Sequence, residues 1–420
     1  MTKYKKGFIA IAFSIVLSTF YLSLFAQQPD NNLPDVLTMA NGKKVTTAQQ
    51  WYTKRRPEIL ALFKKEMYGQ SPGKPANMTF KVFDEDKNAL GGKATRKQIT
   101  VYFNGQADGA QMDILLYVPN SSKHPVPAIV GLNFDGNQSV NIDPAIKLST
   151  SWFDKTKGVV NNRATDVSRG VDASQWPLET IIDRGYAVAT VYRGDIAPDH
   201  IDNLNEGIFP MYPELQNRPD NFATVGAWAW GLSRILDYLE TDKAIDSKHV
   251  AVFGFSRLGK AALWAGATDQ RFTLVISNES GAGGAKLFHE TAGEGIRRLS
   301  TKFPFWFCSN FKKYTDQDSI LPFDQHMVIS LVAPRPIYIA SAEGDLNSNP
   351  KGEFMGALKA SPVYKLLGTS GLPTTTMPPV NTPTVGRIAY HIRPGKHDVT
   401  DYDWVQYLNF ADQYLKPTKP

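Results

Sequence analysis

Ser256 stands in the run GFSRLGK, between Gly254 and Gly259. An apolar stretch, HVAVFGF, leads into it, and a helical stretch, SRLGKAALWAGA, leads away. A serine at a sharp strand-to-helix turn has its hydroxyl raised at the end of a sheet, with the next backbone N–H free to hold an oxyanion. That is nucleophile chemistry, although the second glycine sits one place later than in the usual G-x-S-x-G pattern. Such chemistry needs a base and an acid, in chain order serine, acid, histidine, at the ends of later strands. Four histidines follow Ser256: His289, His326, His391 and His397. His391 lies within the strand-like RIAYHI, as a packed residue would. His289 and His326 fall in irregular or helical stretches. His397 lies in the loop after RIAYHI and before the last helix, where a general base belongs. Two acids compete for the third role. Glu279 follows the strand-like FTLVIS, and Asp345 follows RPIYIAS. Either one would orient the imidazole and stabilise its protonated form.

Elements of a particular kind must carry these residues. YAVATVY, HVAVFGF, FTLVIS, RPIYIAS and RIAYHI read as buried strands, and PAIVGLNF as one buried on both faces. Helical patterns at TVGAWAWGLSRILDYLE, SRLGKAALWAGA and DWVQYLNFADQYL separate or follow them. The alternation predicts an α/β fold: a mostly parallel sheet with helices on both faces. Three alternating runs, MTFKVF, KQITVYF and MDILLYV, predict antiparallel strands at the N-terminal edge. Before them, Thr46 or Thr47 can cap a helix that Gly69 ends. Residues 368–384 read as a surface loop, and no composition break divides the chain after residue 26.

Residues 1–26 have a basic start (Lys3, Lys5, Lys6) and an apolar run from Phe8 to Phe25. This is the plan of a secretory signal peptide, with an uncleaved anchor as the alternative. The expected organisation is therefore 1–26 as a signal and 27–420 as one catalytic domain, secreted or periplasmic. Removing the segment takes three lysines and no acid, so the formal charge of +6 falls to +3. No basic block remains to bind nucleic acid. The single cysteine, Cys308, excludes an intramolecular disulfide and reads as a buried apolar filler. No paired-ligand spacing suggests a metal, and no cofactor is expected.

The run GFSRLGKAALWAGATDQRFTLVISNESGAGGAKL resembles the bacterial glucuronoyl esterases of carbohydrate esterase family 15, whose serine motif is G-x-S-R-x-G-K. The likeness extends to GLNFDGN, YRGDIAPD, GAWAWGLSRILDYLETD, FPFWFC, NPKGEF and GKHD, and so spans nearly all of the chain after residue 26. The resemblance implies an α/β-hydrolase that cleaves the ester between the 4-O-methyl-glucuronate of glucuronoxylan and a lignin alcohol. It implies Ser256 as nucleophile, His397 as base and Glu279 as main acid, with Asp345 supporting or sharing that role. Arg257 matches an arginine that holds the oxyanion. Lys260 is one turn beyond Ser256 on the same helix face and matches a lysine that reaches sugar hydroxyls. Glu294 and Trp306 match positions that contact the uronate ring. Phe255 and Asp398 replace cysteines of the fungal branch, and Asn347 stands where many bacterial members carry a tryptophan. A monomer is expected. The alternatives are an acetyl-xylan or general carboxylesterase on the same scaffold, and a carbohydrate-binding relative without activity.

Overall fold

The structure is a computed structural model that describes residues 1–2 and 33–416. The signal-like segment over 1–26 lies outside the described residues, apart from its first two. A helical segment, α1, covers 48–68 and includes wide π-turns at Trp51–Arg55 and Lys64–Tyr68. The Thr47 side chain caps it by accepting from the Gln50 N–H. Gly69 ends it at φ 83°, where a Cβ would lie 1.9 Å from the Asn221 carbonyl oxygen.

The strands of the main sheet are β1 Thr79–Ala89, β2 Ala94–Tyr102, β3 Gln111–Pro119, β4 Val126–Asn133, β5 Ala187–Tyr192, β6 Ile245–Phe255, β7 Phe272–Asn278, β8 Ile337–Ala342, β9 Thr384–Val385 and β10 Ile388–Arg393. They form one sheet in the order β1-β2-β3-β5-β4-β6-β7-β8-β10-β9. From β5 through β10 all neighbours run parallel; β1, β2 and β3 are antiparallel, as is the short edge strand β9. This is the α/β architecture that the alternation of strands and helices predicts, and it agrees with the α/β-hydrolase fold that the resemblance implies. All eight residues of β4 are buried, which its continuous apolar run requires.

Alternate residues of each central strand enter different cores. Val130, Val252, Val275 and Ile339 pack with α1 and with helices α3 Thr224–Leu239, α4 Arg257–Thr268, α6 Gln325–Val332 and α7 Pro350–Leu366. Ile129, Phe253, Ile276 and Tyr338 pack on the opposite face with α2 Leu178–Asp183 and α8 Asp401–Tyr414. A short helix, α5 Ile296–Lys302, follows β7 in the chain and buries Ile296 and Leu299. The edge strand β1 departs from the expected half-buried pattern. A register shift between Val82 and Asp84 breaks its alternation and leaves Val82 and Phe83 exposed.

Strands β6, β7, β8 and β10 are consecutive neighbours. Ser256 directly follows β6, Glu279 follows β7, Asp345 comes three residues after β8, and His397 four after β10. The parallel register thus brings four residues spread over 142 positions to one edge of the sheet. At Ser256 the backbone takes φ 56° and ψ −130°. A left-handed conformation at a non-glycine residue costs about 1–3 kcal/mol and persists only when its surroundings enforce it. Gly254 allows the close return of the helix: a Cβ there would lie 2.1 Å from the Leu258 carbonyl oxygen. At Gly259 a Cβ would meet that of Ser280 at 2.9 Å. The displaced second glycine of the motif therefore has a packing reason of its own.

Gly254→Ala is expected to destabilise the protein by about 1–3 kcal/mol, the usual range for overpacking, and to lower esterase activity by moving Ser256. Denaturant unfolding and an ester assay on the same preparation check this. Gly73→Ala, where φ is not positive and no heavy atom lies within 4 Å of the added Cβ, controls for a Gly→Ala change without overpacking.

Candidate active site

The His397 ring joins the sheet-edge residues. Its Nε2 lies 2.8 Å from Ser256 Oγ, and its Nδ1 lies 2.6 Å from Asp345 Oδ2 and 3.1 Å from Glu279 Oε2. With the ring proton on Nδ1, held by the acids, Nε2 is free to accept the serine proton. Phe255 packs against the ring, with centroids 4.6 Å apart, and limits its rotation. The Ser256 N–H is anchored on the Asn278 carbonyl at 2.9 Å.

The two acids differ in their surroundings. Burial raises the Glu279 carboxyl to about 7, although His397 and Arg393 oppose the rise. Burial also acts on Asp345, but hydrogen bonds from His397 and Ser348 outweigh it and hold that carboxyl at about 2. Burial lowers the His397 imidazole, and the two acids reverse this and lift it to about 9. The family resemblance favours Glu279 as main acid. The geometry gives Asp345 the shorter contact and the firmer negative charge. Glu279 instead shares its Oε1 with Arg393 Nη2 at 2.6 Å and takes the Asp398 N–H at 3.1 Å. The Arg393 Nε donates to Asp403 Oδ2 at 2.8 Å, so one buried guanidinium lies between two buried carboxylates.

Arg257 begins α4 directly after the nucleophile, and its backbone N–H is among the first four that have no intrahelical partner. Its guanidinium bonds to Asp199. That carboxylate also pairs with Arg193 Nη1 at 2.7 Å and accepts the Trp306 indole N–H at 2.7 Å. Burial pushes the Asp199 carboxyl up, and the charges of Arg193 and Arg257 more than offset this. Trp306 is 2% exposed and stacks on Phe303 at 3.8 Å. It therefore acts as a wall that steadies Arg257, whose guanidinium carbon lies 4.9 Å from the indole centre.

Lys260 is 3% exposed. Its ammonium donates to the Ser280 carbonyl (2.8 Å), the Ala282 carbonyl (2.6 Å) and Glu294 Oε2 (2.7 Å). All three donors are thus engaged within the protein, and a sugar hydroxyl would have to displace one of them. A cavity of about 260 Å³ opens above these groups, with Ser256, Arg257, Glu294, Trp306, Asn347 and His397 in its lining. Every site residue expected from the sequence lines this cavity.

Asp199 and Arg393 were not singled out as site residues by sequence reasoning. Asp199 closes the YRGDIAPD run and Arg393 ends β10, but each gains its role from partners distant in the chain. The other histidines lie elsewhere: His391 is buried between Tyr338 and Asp403, His289 contacts Asp324, and His326 lies 2.9 Å from the Pro34 carbonyl. Cys308 is buried, with a free thiol. One group among the described residues has metal-ligand spacing, namely Glu279, Asp345 and His397, with one ligand atom each within 4.8 Å of the others. A metal ion there would compete with Arg393 for Glu279 and with His397 for both carboxylates.

Three comparisons bear on this site. A family model described as "Glucuronyl esterase, fungi" matches residues 171–368. Carbohydrate esterase MZ0003, from an unknown prokaryotic organism, is 47% identical over 394 residues, covering 93% of this chain and 91% of its own. The 4-O-methyl-glucuronoyl methylesterase of Hypocrea jecorina is 26% identical over 348 residues, covering 80% of this chain and 63% of its own. Among solved structures, a glucuronoyl esterase from Solibacter usitatus superposes with a TM-score of 0.86 at 49% identity, covering 90% of this chain and 97% of that one.

A protonated His397 cannot take the serine proton, so activity should be lost below its raised pKa and gained above it. The acid limb of kcat/KM, measured on a soluble ester, is therefore expected near pH 9. Asp345→Asn removes charge that favours the imidazolium, so the limb should move to lower pH while kcat falls by roughly 10³–10⁴. Glu279→Gln should move the limb the same way with a smaller loss of kcat. The opposite ranking of losses would return the main role to Glu279.

Proposed function

Because the chain belongs to the glucuronoyl esterases of carbohydrate esterase family 15, we propose that it hydrolyses the ester between the 4-O-methyl-glucuronate of glucuronoxylan and an alcohol of lignin. Ester hydrolysis itself comes with the family. The substrate, the exported location and the residue roles are our assignment.

The observation that carries the substrate reading is the character of the cavity beside Ser256. Glu294 is fixed there by a buried ammonium, Arg298 and Asn347 add polar groups, and Trp306 supplies a flat wall. Such a lining suits a ring with several hydroxyls. An acetyl group would leave most of it unfilled, and a long alkyl acyl chain would strand its polar atoms.

In the proposed reaction Ser256 Oγ attacks the ester carbonyl carbon as its proton passes to His397 Nε2. The carbonyl electron pair moves onto oxygen, where the Arg257 guanidinium and backbone N–H stabilise it. Collapse of the tetrahedral species expels the alcohol, which takes the proton from His397. Water then attacks the acyl-enzyme by the same route and releases the uronic acid, restoring the serine hydroxyl. Asp345 orients and charges the imidazole throughout, and Glu279 backs it. Residues 1–26 are assigned as an export signal. Among the described residues no helix is long and apolar enough to cross a membrane.

Methyl and benzyl esters of 4-O-methyl-glucuronate, run beside acetylated xylan, test the assignment. Release of the uronic acid without acetate is expected, and Ser256→Ala should lower kcat by roughly 10⁴-fold or more. Acetate as the sole product would replace the uronate reading with an acetyl-xylan esterase. Full turnover in Ser256→Ala would remove the nucleophile, and binding without turnover in the wild type would leave a carbohydrate-binding protein.

A further inference from the structure

Ser256, Arg257 and His397 form part of two cavities. Besides the one that holds Glu294 and Trp306, they border a second cleft of about 340 Å³ on their other side. An ester extends from its carbonyl carbon in two directions, the acyl group one way and the alkoxy group the other. With the uronate ring in the first cavity, the alkoxy group points into the second.

The second cleft differs in chemistry. Phe134 and Phe255 give it aromatic surface, their rings meeting edge to face at 5.9 Å. Asp135 and Asp172, both half-buried, line it as well. Asp135 Oδ2 accepts from Thr156 Oγ1 at 3.3 Å and Asp172 Oδ2 from Ser139 Oγ at 2.8 Å. The Oδ1 atom of each takes no hydrogen bond from the described residues, and a carboxylate has room for about four. Arg193 forms part of the same lining; it is 5% exposed, and its Nε has no hydrogen-bond partner among the described residues. Its guanidinium carbon lies 5.7 Å from the Phe134 ring centre. Burial raises both carboxyls, that of Asp172 to about 6.

Free acceptors beside an aromatic surface fit a ring that carries hydroxyl donors. A plain alkyl or aryl alcohol would cover the two Oδ1 atoms without supplying a donor, which costs binding. We propose that the second cleft receives the alcohol half of the ester, and that Asp135 and Asp172 make it favour alcohols with additional hydroxyl groups. The inference rests on the uronate reading above for which half lies where.

The test compares two glucuronoyl esters with the same acyl half: the benzyl ester, and the ester of a phenyl-substituted glycerol. The wild type is expected to favour the hydroxylated ester by roughly tenfold in kcat/KM, the effect of one charge-assisted hydrogen bond. The Asp135→Ala, Asp172→Ala double variant should bring that ratio close to one. Asp135→Asn keeps an acceptor and should retain most of it. Because the ratio is internal to each preparation, a partly unfolded sample does not distort it. A wild-type ratio of one, or a ratio unmoved by the double variant, would overturn the proposal. If no glucuronoyl ester turns over, the uronate reading has failed instead. Acetate esters of the same two alcohols then read the same ratio, and a ratio of one there rejects the cleft as well.

Discussion

The turn at Ser256 is the constraint on which the active site depends. A strand buried on both faces must reverse into a helix within one residue, at a backbone angle that a side chain disfavours. Nothing local to the serine makes this favourable. It is enforced by packing on either side. Val252 and Phe253 fix the strand in the two cores, and Leu258, Leu263 and Trp264 fix the helix against its neighbours. Gly254 and Gly259 remove the atoms that would keep the two apart. The same turn raises the hydroxyl, frees the N–H of Arg257 and starts α4, from which Lys260 reaches Glu294. The nucleophile, the oxyanion donors and one wall of the uronate cavity are therefore consequences of a single backbone reversal.

A second constraint follows from placing two carboxylates on one imidazole nitrogen. Both cannot be equally charged in a buried site, since like charges raise each other's pKa. The structure separates their duties by surroundings. Asp345 keeps its charge through His397 and Ser348, whereas Glu279 meets Arg393, and Arg393 meets Asp403. Asp403 in turn forms the capping box of α8 and bonds to His391. The base is thus tied through the loop after β10 to the first turn of the last helix. A buried chain of alternating charge is costly to break, because removing one member leaves another uncompensated.

Much of this was legible in the sequence where the signal is local. Strand runs, the turn at Ser256, the order of serine, acids and histidine, and the placement of His397 after a strand all depend on neighbouring residues. His391 reads correctly as a packed strand residue for the same reason. Legibility fails where a role depends on distant partners. Asp199 looks like an ordinary loop acid until Arg193, Arg257 and Trp306 converge on it. Trp306 matches a position that contacts the uronate ring, yet its stacking on Phe303 and its bond to Asp199 bury most of it. The ranking of Glu279 over Asp345 could not be judged without Arg393, which lies 114 residues from Glu279. Helix α7 has no clear apolar stripe and carries Pro362, so periodicity does not announce it.

The Lys260–Glu294 pair shows how site chemistry shapes the interior. A fully buried ion pair is weak evidence of stability, since desolvation offsets much of its attraction. An apolar pair of similar volume would fill the space under the cavity as well. The pair instead sets the orientation and charge of one carboxylate. The ammonium, itself held by two backbone carbonyls, fixes Oε2 of Glu294, and Arg298 Nε lies 3.9 Å from Oε1 at the cavity edge. A free glutamate at that edge would be mobile and hydrated, and would lose both freedom and water on binding. Held in place, it has already met those costs during folding, which is what preorganisation requires. Ser256, with its strained backbone, meets an analogous cost in the same way. In both cases the stability of the surrounding fold is exchanged for a group that need not rearrange when substrate arrives.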